Sequence, residues 1–301
     1  MYMADRVVNA VYIDESKILS MSFYPKMAVL NFDGRAHVET LNEAMFIGQY
    51  MGGLGGSDTE QWNVYNVFDF HLPSEAELAH MQAIILPGAV TSVYDVERTP
   101  WLPVLTRFIQ NVYENYPNVK LIGICFGSQI IAQALGGQVE KMPMFNQVSP
   151  NQLQTFIGKE VIELRQEFFE EPFVRRIIDD FINQNDSQER YMEQLKLQMG
   201  TLIVHTVHGD HVAMLPQGAV NLGYSDRTEN EIWRIDDRVL CVQSHPEFNA
   251  NYIEEMIINK MYDTGELDDM KKDEVLERIN DNELLLTRNV LNMFIFSFIY
   301  Q

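Results

Sequence analysis

Between Met27 and Gly137, short apolar runs alternate with stretches of helical periodicity, and this alternation constrains the fold more than any other feature of the chain. MAVLNFD (Met27 to Asp33), WNVYNVFD (Trp62 to Asp69), AIILPG and Val119 to Ile124 read as strands. Asn42 to Tyr50, stopped by MGGLGG, reads as a helix, as do Trp101 to Tyr113 and Gly127 to Leu135. Ser74 with Glu77 marks another helix start, because this spacing closes a capping box. Strands that are apolar throughout and separated by helices predict right-handed βαβ units and a parallel sheet with helices on both faces. Reactive groups on such a sheet belong beyond the carboxyl ends of the strands.

Cys125 falls at such a position. In LIGICFGSQIIAQALGG it ends an apolar strand and precedes a helix, with Gly123 and Gly127 on either side. Two readings stand for it alone. It is a buried small hydrophobe, as free cysteines often are, or it is a nucleophile on a tight strand-to-helix turn. A thiol with an ordinary pKa of about 8.5 needs a base or a helix N-terminus to become a thiolate. RVLCVQSHPEF offers the base: His245 follows a strand, and Glu247 is placed to orient its ring. That stretch alone also reads as a surface His-Pro-Glu turn. ILPGAVTSVYD, Ile85 to Asp95, is a turn whose backbone amides can serve a developing oxyanion, together with the amide of Phe126.

Taken together, GICFGSQ, GDHVAMLPQGA and SHPEF resemble the class I glutamine amidotransferases. PWLPVLTRFIQ, IIAQALGG and SVYD fit the same pattern, and the resemblance runs over about residues 27–260. It is nearest to the glutaminase half of guanosine monophosphate synthetase and to γ-glutamyl peptidases. The resemblance implies a flavodoxin-like α/β fold with a mostly parallel central sheet. It implies that Cys125 attacks a γ-glutamyl carbonyl, that His245 moves protons and that Glu247 orients His245. It also implies an oxyanion hole at Gly88, Ala89 and Phe126, a substrate contact at Gln129, and no metal or organic cofactor. The expected activity is hydrolysis of glutamine or a γ-glutamyl peptide through a thioester. Supply of ammonia to a separate synthetase, and a structural role in a larger assembly, are the alternatives.

The chain departs from the pattern in places. Ala89 stands where a second glycine is common, and alanine resists positive φ. Ser128 replaces a frequent histidine and is expected to bear on specificity. Residues 1–26 read as an N-terminal extension, 163–200 as a charged helical insertion with a break near Asn183 to Ser187, and 261–301 as a helical C-terminal tail. Each of the three is a candidate surface for a protein partner, and the insertion is also a candidate lid. His205, His208 and His211 recur at a spacing that suggests a metal, but their place in the Gly-Asp segment accounts for them without one. MGGLGGSD lacks the Gly-Lys-Ser/Thr end of a phosphate loop. Cys241 and the methionines read as core.

Charge narrows the partners. Lys and Arg number 22 against 43 Asp and Glu, a net charge of −21, which opposes sequence-independent binding to nucleic acid. The two cysteines are too few for a disulfide framework, so a reducing compartment is expected. MYMADRVVNAVYIDESK shows neither a secretory nor a mitochondrial leader pattern, and no apolar run is long enough to span a bilayer. The expected location is cytoplasmic, and the apolar NMFIFSFIYQ reads as a docking helix.

Overall fold

The computed structural model describes residues 26–32, 62–145, 154–175, 200–265, 267–279 and 284–301. The expected helix from Asn42 to Tyr50, its MGGLGG stop, nearly all of the N-terminal extension and the break near Asn183 to Ser187 lie outside the described residues.

The first strands are β1 (Lys26–Asn31), β2 (Trp62–Asn66), β3 (Met81–Leu86) and β4 (Lys120–Ile124). They are followed by β5 (Gln138–Lys141), β6 (Phe156–Leu164), β7 (Thr201–His208) and β8 (Asp210–Met214). The last are β9 (Val220–Tyr224), β10 (Ile232–Ile235) and β11 (Val239–Val242). One mixed sheet runs β2-β1-β3-β4-β11-β10-β9-β6-β7, and β5 pairs with β8 in a small second sheet. From β2 to β11 every pairing is parallel, and from β11 outward every pairing is antiparallel.

The parallel half explains the apolar runs. β1, β3, β4 and β11 are covered on both faces, so almost every position is buried. On one face, α2 (Leu102–Asn115) packs Leu102, Leu105, Ile109 and Val112 beside α3 (Phe126–Ala134). Before them, the short α1 (Glu75–Leu78) is closed by the Ser74–Glu77 capping box in both directions. On the other face, Phe168 of α4 (Gln166–Glu170) meets Phe294 edge-on, with ring centroids 4.8 Å apart.

The C-terminal segment supplies the rest of that second core. A helical run over 250–263, containing a π-helical segment Ile253–Ile258, forms α5. It is followed by α6 (Asp269–Ile279) and α7 (Leu284–Tyr300). Leu291, Phe294, Ile295, Phe298 and Ile299 of α7 are buried in the sheet core. The last turn of α7 is held from below. Gln82 Nε2 donates to the Ile299 carbonyl at 2.8 Å, and the buried Lys120 Nζ donates to the Phe298 carbonyl at 2.6 Å. A cation at the carboxyl end of a helix also complements its dipole. Among the described residues no helix is long and apolar enough to cross a membrane.

The structure changes the expected boundaries. The segment read as helical from residue 163 is strand through Leu164, with alternate side chains turned to opposite faces, and only then becomes helical. Asp69 belongs to a 3₁₀ turn, Val67–Asp69, and not to β2. Glu163 is paired with Thr201, so chain 165–200 leaves from the tip of the β6–β7 hairpin.

Candidate active site

Three adjacent parallel strands end at one place. Leu86 of β3 lies beside Gly123 of β4, and Ile124 lies beside Val242 of β11. The loops that follow them therefore put Gly88, Cys125 and His245 side by side, although they are far apart in sequence.

Cys125 occupies the N-cap of α3 with φ 53° and ψ −111°. Positive φ is uncommon for a residue with a Cβ and marks a conformation held by its surroundings. Two backbone bonds hold it: the Cys125 amide donates to the Val242 carbonyl at 2.8 Å, and the Gly127 amide donates to the Pro87 carbonyl at 3.0 Å. The flanking glycines are required by space. A Cβ on Gly127 would lie 1.7 Å from the Leu86 carbonyl oxygen, and one on Gly123 would lie 2.7 Å from the Ser128 amide nitrogen. The Phe126 amide sits in the first turn of α3, where no intrahelical acceptor exists.

His245 is buried, and its Nδ1 lies 2.7 Å from Glu247 Oε1. The ring stacks on Phe248 with centroids 4.1 Å apart and planes inclined by 2°. Its amide donates to the His205 carbonyl at 2.8 Å, and Asn292 of α7 donates to the Pro246 carbonyl at 2.9 Å. Burial alone would lower the pKa of His245. The Glu247 carboxylate and Cys125 overcome it and push the pKa up to about 10.

Gly88 is the third component. A Cβ there would lie 2.7 Å from His245 Cε1, 3.5 Å from Nε2 and 3.7 Å from the Cys125 Cβ. The turn thus packs its bare backbone against both side chains. Neither Gly88 nor Ala89 has positive φ. The turn therefore does not demand the conformation that alanine resists, and Ala89 fits it without strain.

The turn is anchored by Asp210, which lies in the GDHVAMLPQGA segment. Ser92 Oγ donates to Asp210 Oδ2, and Tyr94 hydroxyl donates to Oδ1 at 2.7 Å. Burial and the Asp210 carboxylate together push the Tyr94 pKa up to about 12. Gln129 is buried; its Nε2 donates to the Asp210 carbonyl at 2.8 Å and to Gln243 Oε1 at 3.2 Å. Ser128 does not face the site. It is fully buried and accepts from Trp233 Nε1 at 2.9 Å, which makes it a packing residue and corrects its expected part in specificity.

The three histidines do not converge. His205 Nε2 lies 3.1 Å from the Ile279 carbonyl, while His208 Nδ1 lies 2.9 Å from the Asp210 carbonyl. His208 instead gathers with Glu160 and Glu231, their ligand atoms within 4.8 Å of one another. Arg227 already compensates this cluster by donating to Glu160 Oε1 at 2.9 Å. Burial, with Glu160 nearby, raises the Glu231 pKa to about 8, so Glu231 carries a proton at neutral pH. Burial drives His208 down to about 3, so it stays neutral. The set reads as a buried network in which Arg227 offsets Glu160, while Glu160 Oε2 and His208 Nε2 have no hydrogen-bond partner.

Known proteins share this architecture. The profile of the family "Glutamine amidotransferase class-I" matches residues 62–264. Gamma-glutamyl peptidase 4 of Arabidopsis thaliana is 29% identical over 205 residues, covering 68% of each chain. Gamma-glutamyl peptidase 2 of the same plant is 25% identical over 227 residues, covering 75% of this chain and 76% of that one. The crystal structure of a glutamine amidotransferase from Thermotoga maritima superposes with a TM-score of 0.61 at 19% identity. It covers 92% of this chain and 100% of that one. The chain belongs to the glutamine amidotransferase class-I family and is a hydrolase of that type.

Proposed function

We propose that the protein hydrolyses the γ-glutamyl amide bond of a γ-glutamyl peptide, with Cys125 as nucleophile. The observation that carries this reading is the packing of the Cys125 turn and the His245–Glu247 pair around Gly88. The Cys125 thiolate attacks the γ-carbonyl carbon, and the carbonyl oxygen gains charge against the amides of Ala89 and Phe126. His245, cationic beside Glu247, gives its proton to the leaving amine as the C–N bond breaks. A γ-glutamyl thioester remains. Water then attacks it, His245 takes a proton from that water, and glutamate leaves as the thiolate is restored.

In this reading Glu247 positions His245. Gln129 and Asp210 hold the substrate side together, Gln129 through the Asp210 backbone and Asp210 through Ser92 and Tyr94. Two free cysteines suit a reducing, cytoplasmic setting. The similarity to proteins named γ-glutamyl peptidase favours a peptide over free glutamine. The test is glutamate release from glutathione, γ-glutamyl dipeptides and glutamine, with Cys125→Ala beside the native protein. Release that persists in Cys125→Ala would exclude the thiol mechanism.

A further inference from the structure

We infer that Asn292 of α7 is a positioning residue for the His245–Glu247 pair, so that the C-terminal helix serves the site as well as the core; the inference rests on the γ-glutamyl hydrolase reading. Asn292 Nδ2 donates to the Pro246 carbonyl at 2.9 Å. That carbonyl belongs to the peptide that joins Pro246 to Glu247. Fixing it fixes the starting point of the carboxylate that holds His245.

Glu247 needs such support. Its Oε1 lies 2.7 Å from His245 Nδ1, and its side chain is 1% exposed. Its Oε2 has no hydrogen-bond partner among the described residues. The carboxylate is therefore aimed by the backbone of the turn and not by a second side chain. Pro246 fixes one backbone angle of that turn, and the Phe248 amide closes it by donating to the His245 carbonyl at 3.2 Å. β7 holds the two ends. The His245 amide donates to the His205 carbonyl at 2.8 Å, and His205 Nδ1 lies 3.4 Å from the Phe248 carbonyl. The middle of the turn is left to Asn292.

Packing alone does not account for Asn292. It is 2% exposed, on a helix whose residues Leu291, Phe294, Ile295, Phe298 and Ile299 are buried in the apolar core. An amide removed from water costs free energy unless it is bonded, and an apolar residue would fill the same space without that cost. Its Oδ1 has no partner among the described residues, so the bond from Nδ2 to the turn is what compensates the burial. Ser297 is the contrast on the same helix. Its hydroxyl donates to the Phe173 carbonyl at 3.3 Å, on a segment that carries no site residue.

The experiment compares Asn292→Leu and Ser297→Ala with the native protein. Three properties are measured: thermal unfolding, the NMR titration of the His245 imidazole, and kcat and KM for glutamate release. His245 is expected to titrate at about pH 10 in the native protein and in Ser297→Ala, because Glu247 and Cys125 face its ring and the nearby His208 stays neutral. In Asn292→Leu it is expected to titrate well below that, with kcat lower by about 10-fold and KM little changed. A folded Asn292→Leu protein that keeps the native titration or the native kcat would overturn the inference, as would equal losses in Ser297→Ala. If Asn292→Leu does not fold, Asn292→Ser, whose hydroxyl is too short to reach the carbonyl, is read in the same way. Failure of both to fold would make Asn292 a packing residue and overturn the inference. If no γ-glutamyl compound is cleaved, the hydrolase reading fails separately, and the titration, which needs no substrate, decides the role of Asn292.

Discussion

Gly88→Ala is the substitution with the largest expected effect on activity for the smallest change in atoms. The new methyl carbon would sit 2.7 Å from His245 Cε1. Carbon atoms in contact settle at about 3.5–4.0 Å, so the ring or the turn must move by about 1 Å. The ring resists, because Phe248 stacks on one face and Glu247 holds Nδ1. The turn resists, because Asp210 holds Ser92 and Tyr94. A displacement of about 1 Å between reacting groups costs about 100-fold in rate. Overpacking at one buried contact costs about 1–3 kcal/mol of stability, so the variant is expected to fold. The assay is kcat/KM for glutamate release, with thermal unfolding measured beside it. A folded Gly88→Ala protein within about threefold of native activity would refute the geometry argued for this site. Gly127→Ala is the contrast: its Cβ would lie 1.7 Å from a backbone oxygen, and that variant is expected not to fold.

Glu247→Gln removes the carboxylate that raises His245, and a loss of about 100-fold or more in kcat is expected. The pair also stabilises the fold, and the direction is fixed. A histidine raised from 6.5 to about 10 contributes stability that is fully present below pH 6.5 and lost as pH rises through 10. Thermal scans across that window should show native and Glu247→Gln midpoints converging above pH 10. Asp210→Asn weakens the bonds that Ser92 and Tyr94 make to its carboxylate, and, if that turn serves the proposed oxyanion hole, a drop of about 10-fold in kcat is expected with KM changing less. Cys241 is fully buried, so iodoacetamide should inactivate Cys241→Ala at the native rate; protection by that substitution would contradict the assignment of Cys125. Deleting residues 284–301 strips the buried side chains Leu291, Phe294, Ile295, Phe298 and Ile299 from the sheet. At about 1.5–3 kcal/mol each, their burial is comparable with the whole stability of a domain. The truncated chain should bind a hydrophobic dye and lose its cooperative transition.

The parallel half of the sheet was legible because strands buried on both faces must be apolar at nearly every position. β3 and β4 show that pattern, and the Ser74–Glu77 box and Gly136-Gly137 mark helix ends by local chemistry alone. β6, β9 and β10 were not legible. β6 reads FIGKEVIEL, with charges inside the strand, and its buried Glu160 is tolerable only because Arg227 reaches it from the β9–β10 loop. A partner that distant leaves no trace in a local window. β9 and β10 are short, and Gly223 interrupts the first of them.

The candidate site divides along the same line. Cys125 and the His245–Glu247 spacing were legible because each is a local arrangement of residue types. Asp210 was visible as a letter in a motif, but its part depends on two hydroxyls in another loop. The concern over Ala89 came from a backbone angle that composition does not encode, and the observed turn avoids that angle. Gly88 joins the two kinds of information. Its sequence marks a turn, yet its necessity comes from two side chains brought to it by β4 and β11. The carboxyl ends of three neighbouring parallel strands in the middle of the sheet are what turn separate motifs into one candidate site, and the same convergence explains why a bare backbone must pack against both Cys125 and the imidazole.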